Sequence, residues 1–131
     1  MRTPVAAELD LERVICRLVD LEESGARAFT VGAGDWPLRG FVVRYGNEVR
    51  GFVNRCPHVG HPLNLRPHRF LTPDGAMILC SSHGALFEKD AGRCLAGPCA
   101  GQLLRPIPLE VIGELVLIAA DADLAALAAE G

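Results

Sequence analysis

Two short stretches decide how this chain is read: Cys56-Pro57-His58-Val59-Gly60-His61-Pro62-Leu63 and Cys80-Ser81-Ser82-His83-Gly84. Each carries one thiol and one imidazole within a few residues. In an extended segment, residues two apart point to the same side, and a turn brings residues three apart together. Each stretch therefore presents its Cys and its His to one centre. Pro57 stiffens the first stretch, while Gly60 and Gly84 permit tight backbone conformations. The surroundings are rich in turns, with Pro57, Pro62, Pro67 and Pro73 all between Cys56 and Gly75. Long loops of this kind in compact domains usually carry function.

Outside the two loops, short apolar or alternating runs recur between turn signals. Val14 to Leu18, Ala28 to Val31 and Phe41 to Arg44 read as strands, as does Glu48 to Val53 across the turn pair Gly46-Asn47. Ala76 to Leu79 follows the turn Pro73-Asp74-Gly75, and Ala85 to Glu88 precedes Asp90-Ala91-Gly92. Leu109 to Ile112 and Glu114 to Ile118 flank Gly113. This spacing predicts an all-β domain of sandwich or barrel type. Residues 1–131 read as one domain with a core over about 12–119. Residues 120–131 form a short tail, and Asp123 is available to cap a helix there.

Composition narrows the function. The chain has 131 residues, 50% of them hydrophobic, and a formal net charge of -3. Its mean hydropathy is +0.23, too apolar for a disordered chain. A pI near 5.8 argues against a nucleic-acid binder, whose affinity needs a surplus of Lys and Arg. No apolar run has the length of a membrane span. The first residues lack the apolar core of an export signal, so a soluble, cytoplasmic protein is expected. Five cysteines, an odd number, then point to reduced thiols and metal ligands, not a disulfide framework.

Two Cys and two His admit two chemical readings. One is structural zinc held by two sulfurs and two nitrogens. The other is a [2Fe–2S] cluster of Rieske type, with two Cys on one iron and two His on the other. Zinc fingers pair Cys with Cys and His with His along the chain. Here each loop holds one of each, an order that suits a binuclear cluster touched by both loops. Cys16, Cys94 and Cys99 read as small apolar core fillers. His61 reads as packing under its loop or facing a partner, His68 as an exposed loop residue and Trp36 as a packing anchor.

The Cys-Pro-His-x-Gly-His-Pro-Leu and Cys-x-x-His-Gly-Ala-x-Phe runs resemble the Rieske iron–sulfur family, as do Gly97-Pro98-Cys99 and Leu104-Arg105-Pro106-Ile107-Pro108. The likeness covers roughly Val14 to Ile118 and is greatest to free-standing bacterial ferredoxins of oxygenase systems. It implies a β-sandwich base with a small cluster-binding lobe made by the two loops. It also implies one [2Fe–2S] cluster, with Cys56 and Cys80 on the buried iron and His58 and His83 on the outer one. High-potential members carry a disulfide where this chain has His61 and Ser82, and hydroxyl donors where it has Ala85 and Phe87. That implies the low end of the Rieske range. The stretch between His58 and Cys80 is longer than usual for such ferredoxins, and Leu65 to Gly75 reads as an extra surface loop.

The function implied is a soluble one-electron carrier passing electrons from a reductase to a terminal oxygenase, with no membrane or nucleic-acid partner. The alternatives are a small Rieske-like subunit of a larger reductase, such as nitrite reductase, or a zinc-stabilised interaction module. No mononuclear iron site of two His and a carboxylate accompanies the four candidate ligands, so no independent catalytic site is expected. Arg50, Arg55, Arg66 and Arg69 fall between Val49 and Pro73, a span without Asp or Glu. They suggest a basic lip around the first loop.

Overall fold

A computed structural model describes residues 13–22, 25–32, 37–57, 62–64, 66–81 and 84–130, leaving out the side chains of 129 and 130. Three antiparallel sheets account for most of it. The middle sheet has the order β2 (Ala26–Val31), β3 (Leu38–Tyr45), β4 (Glu48–Val53), β8 (Pro106–Ile107). A second sheet joins β1 (Val14–Arg17), β10 (Leu115–Ile118) and β9 (Leu109–Ile112). The third is a small lobe of β5 (Ile78–Leu79), β6 (Leu86–Phe87) and β7 (Cys94–Ala96). The all-β expectation holds, with antiparallel sheets as the base and loops in the lobe.

The run Phe41-Val42-Val43 explains how the layers stack, because all three side chains are fully buried. Successive residues of a strand face opposite sides. Val42 packs with Cys16, Leu21 and Val116 on the β1-β10-β9 side. Phe41 and Val43 pack on the other side with Phe52 of β4 and with Ile78 and Phe87 of the lobe. The middle sheet is thus covered on both faces, and an alternating polar side would have had nowhere to go. Gly40 marks a tight approach: a Cβ there would lie 2.7 Å from the Phe29 ring and 2.8 Å from Ile107.

Turns fall where the sequence puts them. Gly46, at φ 60°, opens the two-residue link between β3 and β4, where Tyr45 faces Glu48. Gly113, at φ 61°, does the same between β9 and β10. The tail forms helix α1 (Leu124–Glu130), and Asp123 caps it by accepting the Ala126 N–H at 3.1 Å. Leu127 of α1 is buried against Val31, Leu38 and Ile118, so this helix completes a core. Among the described residues no helix is long and apolar enough to cross a membrane.

The stretch expected as a surface loop is an exception. Phe70 is buried and stacks on Phe41, with ring centroids 4.3 Å apart and planes at 9°. Leu71 bridges to Ile78, and the Leu79 N–H donates to the Phe70 carbonyl at 2.8 Å. His68, which the sequence suggested was exposed, is half-buried in the left-handed region at φ 61°. Its Nδ1 accepts the Ala28 N–H at 3.0 Å. Ala28 lies on β2, an edge strand with unpaired backbone groups, and His68 satisfies one of them. Residues 66–77 are thus a packed cover on the sheet edge.

Candidate metal centre

Both candidate thiols sit at the necks of their loops. Cys56 follows β4 closely and is 1% exposed; Cys80 follows β5 directly and is fully buried. They belong to one apolar cluster with Leu63, Ala85 and Phe87. The ends of the second loop are bonded to each other: the Cys80 N–H donates to the Ala85 carbonyl and the Gly84 N–H to the Cys80 carbonyl, both at 2.9 Å. Gly84, at φ 73°, takes the conformation this closure needs, with open space where a Cβ would stand.

The two loops are tied together by groups the sequence reading passed over. Asn54 lies between β4 and Cys56. Its Oδ1 accepts the Leu63 N–H at 2.8 Å, closing the first loop across its neck. Its Nδ2 donates to Asn64 Oδ1 at 2.9 Å. The Leu63 carbonyl accepts the Ser81 N–H at 2.8 Å, joining the first loop to the second. Asn54 therefore closes the first loop, and the Leu63 backbone carries the tie to the second. The only sequence signal of Asn54 is a polar side chain two residues before the first Cys.

Cys94 and Cys99 also belong to the cluster that holds Cys56 and Cys80, and both are 1% exposed. The Cys99 thiol donates to the Cys94 sulfur at 2.9 Å and lies close enough to Cys56 to interact with it. Burial, then the hydrogen bond to Cys94 and the charges that Cys94 and Cys56 would carry, push the Cys99 thiol up to about 12. Reading these two as core fillers was right about burial but missed their mutual contact and their nearness to a candidate ligand. Gly97, at φ 102°, brings this segment over the second loop: a Cβ there would stand 2.8 Å from Ala85 Cα.

His58, His61, Ser82, His83 and Trp36 lie outside the described residues. Among the described residues no group of three or more Cys, His, Asp or Glu is placed to hold a metal. Two of the four candidate ligands are outside that search. What is described fits a cluster with two thiolate ligands. Both thiols are at loop necks in a shared apolar floor, and a backbone bond joins the loops.

The basic lip is smaller than the sequence suggested. Arg50 donates to Asp90 at 3.1 Å and to Glu48 at 3.3 Å, and stands 5.2 Å over the Tyr45 ring. It is engaged near the β3–β4 turn, at the end of β4 away from Cys56. Arg55, Arg66 and Arg69 are exposed around the first loop.

A strand-built base meeting a small lobe at two buried thiols on joined loop necks defines a small β domain built to hold a metal or cluster. The Rieske [2Fe-2S] domain family matches residues 12–127, and the chain belongs to that family. That match favours iron–sulfur over zinc. The ferredoxin of carbazole 1,9a-dioxygenase from Nocardioides aromaticivorans IC177 is 27% identical, with a TM-score of 0.63 over 89% of this chain and 97% of that one. The Sphingomonas yanoikuyae B1 ferredoxin is 23% identical, with a TM-score of 0.59 over 81% and 94% of the two chains. The terminal oxygenase of the Nocardioides system is 22% identical, with a TM-score of 0.65. There the match covers 88% of this chain but 32% of the oxygenase, and it shows a shared fold. No match is found among curated proteins. The chain is a Rieske-type electron-carrier domain related to the ferredoxins of oxygenase systems.

Proposed function

We propose that this chain is a ferredoxin that holds one [2Fe–2S] cluster on Cys56, His58, Cys80 and His83 and passes single electrons from a reductase to a terminal oxygenase. The observation that carries the reading is the joined pair of loop necks. Cys56 and Cys80 are buried on one apolar floor, and the Ser81 N–H is bonded to the Leu63 carbonyl between them. When bound, such a cluster supplies a one-electron couple whose potential two neutral imidazoles raise relative to all-cysteine ligation. The chain's own residues then set two conditions. The apolar floor keeps water from the thiolates. Ala85 and Phe87, both buried, offer no hydroxyl hydrogen bond, which favours a potential near the lower bound of about -150 mV for Rieske centres.

The choice of partner is supported by size and by relatives. The match covers nearly the whole of a free-standing ferredoxin, and carbazole 1,9a-dioxygenase has been seen as a complex of reduced oxygenase and oxidised ferredoxin. Exposed Arg66 and Arg69 beside the first loop suit an acidic docking patch, mainly by steering encounter. A location in the cytoplasm is part of the same proposal.

Ligand substitution tests the reading. Cys56→Ser, Cys80→Ser, His58→Ala and His83→Ala should each give protein without the visible absorption of the cluster, while His61→Ala keeps it. The assignment fails if His61→Ala loses the cluster and His58→Ala retains it.

A further inference from the structure

The contact between Cys94 and Cys99 is not used by a four-ligand cluster. Their sulfurs face each other at 2.9 Å across the neck of a closed turn. The Cys94 N–H donates to the Gln102 carbonyl at 2.8 Å, the Gly101 N–H to the Cys94 carbonyl at 2.9 Å and the Gln102 N–H to the Cys99 carbonyl at 2.9 Å. The backbone therefore already holds both residues at the distance where their sulfurs meet. Only one layer of chain covers them, because Ala96, Gly97, Pro98, Ala100, Gly101 and Gln102 are exposed. Gly101 sits at φ 87° with nothing within 4 Å of where a Cβ would stand, so this cover is thin on that side. Cys99 also reaches Cys56, which places the pair beside the proposed iron ligand.

We infer that Cys94 and Cys99 are a reversible dithiol–disulfide pair, closed by a peroxide, whose state governs a hydrogen bond to the Cys56 sulfur. The reaction is balanced as two thiols and hydrogen peroxide giving one disulfide and two waters. Two S–H bonds and the O–O bond break, the S–S bond forms, and the sulfurs lose two electrons to the peroxide oxygens. In the dithiol state the Cys99 S–H, which donates to Cys94 at 2.9 Å, can turn to the Cys56 sulfur when that sulfur is a thiolate. In the disulfide state that proton is gone. A hydrogen bond to a ligand thiolate favours the reduced, more negative centre, so closing the pair lowers the potential. This second effect rests on Cys56 being a ligand; the bridge itself does not.

The test treats the purified holoprotein with hydrogen peroxide, keeps only material with full visible absorption, and digests it with trypsin under alkylation. Both cysteines lie on the peptide that begins at Cys94. The expected result is that this peptide loses two hydrogens and escapes alkylation, and that dithiothreitol reverses the change. Cys94→Ala should abolish the bridge and keep the untreated potential. Cys99→Ala should abolish the bridge and fix the potential at the lower, peroxide-treated value. Two alkylated thiols on that peptide after peroxide treatment would overturn the pair. A bridge that leaves the potential unmoved would overturn the link to Cys56. A Cys56→Ser protein that keeps its cluster would instead count against the ligand assignment, whatever the bridge does.

Discussion

Asn54 does at the scale of one residue what no motif announces. It accepts the Leu63 N–H and donates to Asn64, so one side chain spans the ends of the first ligand loop. Replacing it with Ala leaves the half-buried Leu63 N–H without its acceptor, which costs about 1–3 kcal/mol. Asn54→Ala should lower the urea midpoint accordingly and speed loss of visible absorption on dilution; an unchanged half-life would remove Asn54 from the site. Phe87, buried on the shared floor, bears on the potential. Phe87→Tyr should raise the midpoint in protein-film voltammetry if the new hydroxyl reaches a sulfur, and a wild-type value well above zero would contradict the low-potential argument. Cys56 and Cys80 stood out in the sequence because Cys and His at short spacing among Gly and Pro have few other uses; His58 and His83 rest on the same pattern and lie outside the described residues. Asn54 did not stand out, since an asparagine in a loop reads as ordinary turn chemistry. The facing of Cys94 and Cys99 was hidden for another reason: a turn five residues long brings sulfurs together only when its backbone closes.

Among the elements, the hairpin of β3 and β4 was the easiest to foresee. Its turn pair is explicit, and β4 was anticipated over its full length, Glu48–Val53. Two strands were missed. β7 is three residues long, and β8 is two residues with Pro106 as its first. Both are too short for a period to register, and a proline is accepted in β8 because that strand lies at the sheet edge. The cover at 66–77 was misjudged because Pro67, Pro73 and Gly75 advertise turns, while Phe70 buries itself only through long-range stacking on Phe41. His68 anchors this element in a conformation that Asn also tolerates. His68→Ala should therefore cost about 1 kcal/mol and speed amide exchange at Ala28, whereas His68→Asn should keep part of the protection. Equal exchange at Ala28 in the wild type and the Ala variant would show that the bond contributes nothing.

The whole molecule is a base that folds by strand packing and a lobe that meets it at the two candidate thiols, and the two respond to different conditions. Cys16, buried between the sheets beside Leu21, Val42 and Val116, belongs to the base. Burial first, then the Asp20 charge, opposed by Arg27, raise its thiol from 9.0 to about 11. The folded state thus holds this proton more tightly than the unfolded chain. The associated stability is complete below about pH 9 and is lost as pH rises towards 11, by up to about 3 kcal/mol. Denaturant midpoints of Cys16→Ala should accordingly fall less than those of the wild type over that range; parallel curves would refute the coupling. At the lobe, Arg66→Glu and Arg69→Glu should slow electron exchange with the partner at low salt and leave the visible spectrum intact, with the difference fading as salt is raised. The central claim is that two thiolates and two imidazoles from the two loops hold one [2Fe–2S] cluster. Pulsed EPR of the dithionite-reduced protein addresses it most directly. The account predicts a signal coupled to two histidine nitrogens that is absent from His58→Ala and His83→Ala protein; a reduced cluster without nitrogen coupling, or zinc in place of iron, would contradict it.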